Sequence, residues 1–333
     1  MWTVSAPTCS FSHPRAAPAG MTSTPALLPP APDRCDAPWV DDPVPQLAPG
    51  RPGKDGFLDL RLVRDTSLGR TVARGITHRP PFQIGRILYP DSGIPDMAYC
   101  YVAMLTGGLV QGDRLRLQVA LDSGARAHVT TLAATKIYRM ERNGAEQRVS
   151  LEVGPGAVLE WWPDPLIPFR GARLWQEVDI TVDPTGILLY ADLLHPGRET
   201  RGECHDYDYY RSRVTVRRPG GATLFVDTQA FAPPPPSGAR LSETLPPGQQ
   251  SIGTVYAAVA LSAVPSLLHA LREWCTTSDP AVVLAGCSAL PGDSGVVVRF
   301  LAGASDARRA LDELLALLRR QLLAAPPPPH RRP

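Results

Sequence analysis

LQVALDSGARAHV (117–129), VSLEVGPGAVLEW (149–161), VDITVDPTGILLY (178–190) and VTVRRPGGATLFV (214–226) share one pattern: an alternating strand, a glycine-containing turn and a second apolar strand. Alternation at period two marks a strand with one buried face. The turn glycines Gly124, Gly156, Gly186 and Gly221 are 32, 30 and 35 residues apart, a spacing regular enough for similar β units laid one on another. Each unit would bury the face its neighbour leaves open. An antiparallel sandwich also produces alternating strands at such intervals, so both arrangements stand at this point. The predicted class is mainly β: a stacked, β-helix-like body of many short strands.

Outward from these repeats, residues 57–230 read as strands punctuated by turns. The clearest sets Leu115, Leu117, Val119 and Leu121 against Arg114, Arg116 and Gln118. Beyond the prolines at 233–236 the pattern changes. Two α-helices are predicted near the C-terminus, over 265–276 and 305–324, with GVVVRF (295–300) as a buried strand between them. In the second helix Ser305 is placed to cap the start. Leu311, Leu314, Leu315, Leu318 and Leu322 form its apolar stripe, with Arg308, Arg309, Arg319 and Arg320 elsewhere on its surface. Such a stripe packs on the β body or docks a partner.

The 37 prolines concentrate at the start, around 233–236 and at 326–329. Segments of this kind bury too little apolar surface to offset ordering entropy. The expected organisation is a disordered extension over 1–55, one β domain over 56–324 with a flexible insert at about 232–250, and a disordered tail over 325–333. Met21 lies inside the extension and is a second candidate translation start.

Lys and Arg number 34 against 32 Asp and Glu, so the net charge of +2 supplies no field that would favour nucleic acid or an anionic membrane. The six cysteines include no C-x-x-C pair, which argues against a structural zinc site or a disulfide framework and suits a reducing cytoplasm. The first twenty residues lack a signal-peptide pattern, and the most apolar window, 252–271, is interrupted by Gly253, Pro265 and His269; neither secretion nor a membrane span is predicted.

Several segments carry polar groups worth weighing. GGLVQGDR (107–114) has phosphate-loop spacing, but Asp113 stands where lysine would be needed and a strand follows, so nucleotide binding is rejected. Asp113 either bonds local backbone in a tight turn or serves function. VTTLAATKIYRM (129–140) sets Thr131, Lys136, Tyr138 and Arg139 beside one strand end, as a channel lining, a partner surface or simply a solvated face. LEWWPDPLIPF (159–169) holds Glu160 and Asp164 beside two tryptophans, the carboxylate pair and aromatic platform that a glycoside hydrolase uses. HPGRETRGECHDYDYY (195–210) gathers Glu203, Cys204 and His205, donors suited to transient capture of nickel. Nearby arginines equally make it an ion-pair cluster.

Read in order, RILYP (86–90), GGLVQGD, TTLAATKIYR, LEWWPDPLIPF and GRETRGE (197–203) resemble the successive landmarks of the urease accessory protein family UreD, also called UreH. The resemblance runs over about 57–229, with a weaker echo in GVVVRF and the last helix. MLT (104–106), before the glycine pair, departs from the family's usual turn. The resemblance implies a β-helix-like fold, no enzymatic activity and no permanent cofactor. It further implies a complex with the accessory protein UreF, the GTPase UreG and apo-urease, with nickel in transit, in the cytoplasm. By the same resemblance Asp113, Thr131, Lys136, Tyr138, Arg139, Asp164, Arg198 and Glu203 are candidates for a channel lining or partner surface, and none is a fixed metal ligand. Two alternatives remain: a β-solenoid carbohydrate-active enzyme using Glu160 and Asp164, and an interaction scaffold unconnected with nickel.

Overall fold

A computed structural model describes residues 54–232 and 239–326. The chain divides into two units, 1–36 and 37–333, and every described residue lies in the second. Most of the expected N-terminal extension and C-terminal tail therefore lies outside the described residues.

The body is a parallel solenoid. A hairpin of β1 (Asp55–Asp65) and β2 (Arg70–Arg79) opens it, followed by the short β3 (Phe82–Ile84). Three coils then repeat long, short, long: β4 (Ala98–Met104), β5 (Gly108–Leu109), β6 (Arg114–Leu121); β7 (Arg126–Thr131), β8 (Thr135–Ile137), β9 (Ala145–Val153); and β10 (Val158–Trp161), β11 (Leu166–Pro168), β12 (Arg173–Val182). The fourth keeps both long strands, β13 (Ile187–Leu194) and β14 (Tyr209–Arg217), and β15 (Thr223–Phe231) turns back antiparallel on β14.

Strands β1, β6, β9, β12 and β14 pair in parallel along one wall, and β4, β7, β10 and β13 along a second. The stacked alternative is thus the one adopted: the first three quoted repeats are its rungs, and the fourth is the β14–β15 hairpin that ends the first wall. The reason is visible in the register. Leu60, Val119, Leu151, Ile180 and Val216 fall in one line across the first wall, all buried. Burying one such side chain stabilises by about 1.5–3 kcal/mol, and a one-residue slip would turn the whole line to solvent.

The solenoid's end is closed by antiparallel β16 (Ser251–Ala258), β18 (Gly295–Ala302) and β17 (Val283–Ala289), which extend the second wall beyond β13. Helices α2 (Val264–Thr277) and α3 (Ala304–Leu323) cover its outer face around a separate apolar cluster that includes Leu189, Val298, Leu267, Leu311 and Leu314. Both predicted helices and the 295–300 strand are present. A single helical turn, α1 (Leu241–Thr244), lies in the insert, and Gln249 and Gln250 beyond it are buried.

Two readings of the last helix are corrected. Gly303, not Ser305, is its N-cap, without a side-chain capping bond. Arg319, assigned to the polar surface, is fully buried. Its Nη2 pairs with Asp91, and its Nε lies 3.2 Å from Glu160 Oε1. Tyr99 O–H donates to Asp91 at 2.8 Å and accepts from Arg319 at 3.3 Å; His128 Nδ1 meets Glu160 Oε2 at 2.7 Å and stacks on Tyr99. Periodicity reads a helical face, and it cannot see that a neighbouring strand and the loop before β4 each present an acid to an arginine on that face.

Candidate functional site

Three of the polar motifs stack into a third wall. Strands β5, β8 and β11 pair in parallel, aligning Gly108 with Lys136 and Ile167. Glycine is required here: a Cβ at Gly108 would lie 2.4 Å from the Lys136 carbonyl oxygen, and Gly107 has φ +70°. Where a fourth short strand would follow, GRETRGE forms a 3₁₀ turn over Glu199–Arg201. Across this wall the Arg198 guanidinium sits 4.0 Å over the Phe169 ring, which meets Tyr138 edge-on at 5.1 Å.

Glu203 is buried beneath this surface. Its carboxylate accepts from Arg198 Nε at 2.8 Å and from the Arg170 N–H at 3.3 Å. The Arg198 bond holds its carboxyl below the usual range despite burial. Cys204 and His205 turn the other way, toward Gln250: His205 Nε2 meets the Gln250 carbonyl at 2.9 Å and Nδ1 meets Tyr207 O–H at 3.2 Å. Burial holds the His205 imidazole below its ordinary value. Among the described residues no group of three or more His, Cys, Asp or Glu is gathered closely enough to hold a metal ion.

Thr131, Lys136 and Asp164 come together elsewhere, on a cavity of about 230 Å³ inside the solenoid beside the third wall. The Asp164 N–H donates to Thr131 Oγ1 at 2.9 Å, and Asp164 Oδ1 accepts from Arg308 of α3 at 2.6 Å. Asp113 is apart from both groups. Its carboxylate takes Lys54 Nζ at 2.9 Å and the Lys54 and Val110 N–H groups at 3.2 and 3.0 Å, tying the glycine turn to the first strand. Glu160 and Asp164, the pair considered for glycoside hydrolysis, are held by different arginines, and Glu160 is sealed under α3 with no route to a sugar.

The cavity floor holds groups that the sequence reading passed over. Gln147, Gln176, Ser212 and Gln229 occupy one register line on the first wall, facing inward. Asp192 and Thr254 face them from β13 and β16. Gln176 Nε2 donates to Ser212 Oγ at 3.1 Å, Ser212 Oγ to Asp192 Oδ2 at 3.3 Å, and Gln229 Nε2 to Thr254 Oγ1 at 2.9 Å. The row ends near the surface at Asp227, which Tyr256 O–H and Arg299 engage, the latter at 2.6 Å. Burial pushes the Asp192 carboxyl up to about 6, with nearby Asp227 adding to the shift and the Ser212 hydroxyl opposing it. Among the described residues no cation pairs with Asp192. Its signal in the sequence is the lone acid in an otherwise apolar strand, ILLYADLL.

The family model of the UreD urease accessory protein matches residues 54–333. This chain belongs to the UreD urease accessory protein family. It is 37% identical over 278 residues to urease accessory protein UreD 2 of Streptomyces griseus, covering 81% of this chain and 93% of that protein. It is 35% identical over 262 residues to urease accessory protein UreD of Cenarchaeum symbiosum, covering 79% and 90%. With urease accessory protein UreD 2 of Brucella ovis the figures are 30% over 279 residues, 82% and 88%. These UreD relatives are named as accessory proteins, not as enzymes. The matched region takes in the whole solenoid, the third wall and the interior row. No helix among the described residues is long and apolar enough to cross a membrane.

Proposed function

We infer that this protein is a non-enzymatic scaffold of the cytoplasm that binds apo-urease together with UreF and UreG, and that nickel on its way to urease passes along the solenoid interior. The observation that carries this reading is Asp192 on the cavity floor, an interior carboxylate that has no cation partner among the described residues and is flanked by amide and hydroxyl oxygens.

Ni²⁺ must be kept from thiolate and imidazole sites that would retain it. One carboxylate among neutral oxygen donors attracts the ion without enclosing it, whereas a full set of nitrogen and sulfur ligands would hold it. With its carboxyl titrating at about 6, Asp192 is mostly ionised at neutral pH and becomes neutral on acidification. Thr131, Lys136 and Asp164 stand where an ion would enter the cavity from the third wall. Tyr138, Arg139, Arg198 and the buried support Glu203 form the partner surface around that entrance, and Glu203, Cys204 and His205 are candidates for transient contact with the ion.

The test is co-expression of apo-urease, UreF and UreG with the natural chain, with Asp192→Asn, or with no chain. The natural chain should give nickel-loaded, active urease, and omission should abolish both. Asp192→Asn should lower nickel content and activity severalfold while the complex still forms. Full activation by Asp192→Asn would overturn the interior route, and full activation without the chain would overturn the scaffold role.

A further inference from the structure

Cys275 and Cys287 lie outside everything so far assigned. Cys275 is near the end of α2 and Cys287 is in β17, the edge strand that α2 packs against. Both side chains are half-buried, both pack on the cluster under the helices, and both are free thiols. They are close enough for the Cys275 thiol to hydrogen-bond Cys287. The other described cysteines have no thiol neighbour: Cys100 is sealed in the solenoid core and Cys204 faces Gln250.

We propose that Cys275 and Cys287 form a redox-sensitive dithiol that peroxide closes into a disulfide, stapling α2 to the edge strand of the C-terminal cap. Burial first, and the neighbouring Cys287 second, push the Cys275 thiol up to about 12, so it keeps its proton at neutral pH and acts as donor. Cys287 is then the sulfur that reacts first. Its sulfur attacks hydrogen peroxide; an S–O bond forms, the O–O bond breaks, and the departing hydroxide combines with the proton given up by the Cys287 thiol as water. Cys275 next attacks the sulfenic sulfur. The S–S bond forms, the S–O bond breaks, and the hydroxide released combines with the Cys275 proton as a second water. The two sulfurs together lose two electrons, and peroxide gains them.

The sequence makes the experiment direct, because cleavage after Arg272 and Arg299 leaves both cysteines on one tryptic peptide. The folded, full-length protein is treated with hydrogen peroxide, free thiols are alkylated, and the digest is weighed. The peptide should lose two hydrogens and take no label, and dithiothreitol applied before alkylation should restore two labels. Cys287→Ser should abolish the loss. Cys275→Ser should leave a sulfenic acid on Cys287 that dimedone captures. Oxidation should raise the thermal midpoint of the natural chain by several degrees and leave that of Cys287→Ser unmoved, because the cross-link restricts the unfolded chain. A peptide carrying two labels after peroxide treatment, or oxidation that joins either residue to Cys204 or to another molecule, would overturn the proposal.

Discussion

Glu160 and Asp192 sit on neighbouring parallel strands of one sheet, β10 and β13, and face opposite sides of it. Glu160 points outward into the seam under α3, where Arg319 and His128 engage both of its oxygens. Asp192 points inward to the cavity, where a serine hydroxyl is its side-chain donor. Both carboxyls have left bulk water, yet one is locked by compensating charge and the other is open to a cation or a proton. Burial alone therefore says little about role. What matters is whether the low-dielectric site already contains the opposite charge.

The strongest way to break this contrast is to unlock the outer seam. Arg319→Ala leaves Asp91 and Glu160 buried without their cation and should cost about 3–5 kcal/mol in urea unfolding, with Arg319→Met no better, since the acids remain. A loss below about 1 kcal/mol would show that water reaches the seam. Next in size is a cut in the ladder both regions lean on: Leu151→Ala, in the middle of a buried line of five side chains, should cost about 3 kcal/mol.

Asp192 sharpens the contrast through pH. Its carboxyl ionises at about 6 in the folded chain against 3.8 ordinarily, so between these values the folded state keeps a proton that the unfolded state has released. Its contribution is full below pH 4 and falls by about 3 kcal/mol as pH rises through 6. Asp192→Asn should remove that decline from a plot of stability against pH, and an unchanged plot would mean the carboxyl is not shifted. His195, bonded to Ser251 at 2.8 Å, should act in the opposite sense and with similar strength. Burial lowers it to about 4 from 6.5, so its contribution is present above 6.5 and lost as pH falls toward 4; His195→Gln should make the chain less sensitive to acid over that window. Smallest of all, Arg139→Ala on the exposed third wall should change stability by no more than about 0.5 kcal/mol, while reducing complex formation in a pull-down if that wall is the partner surface.

Much of the fold was legible because it repeats. A strand whose alternate residues must be apolar, a turn that needs glycine and a fixed spacing between turns are local demands, and the sequence states each one four times. The two late helices were legible for the same reason, from apolar side chains recurring at helical spacing. The site was only partly legible. The motifs at 107–113, 135–139, 166–169 and 197–203 stood out because glycine, proline and mixed polar residues interrupt apolar runs, and they do converge on one wall. Gln147, Gln176 and Ser212 did not stand out, because in a strand an inward-facing glutamine or serine looks the same as an outward-facing one.

The sequence by itself determined a mainly β body of repeated strand–turn–strand units, its turns, the late helices and membership of the UreD family, since all of these are written in short-range pattern and in the order of motifs along the chain; that the units stack in parallel was decided by the tertiary pairing. Only the tertiary structure decided that Glu160 and Arg319, more than 150 residues apart, neutralise each other in a dry seam while Asp192 keeps its charge facing a cavity. The reason is that a buried charge takes its behaviour from what surrounds it in space, and those surroundings come from strands and helices that are far apart in the chain.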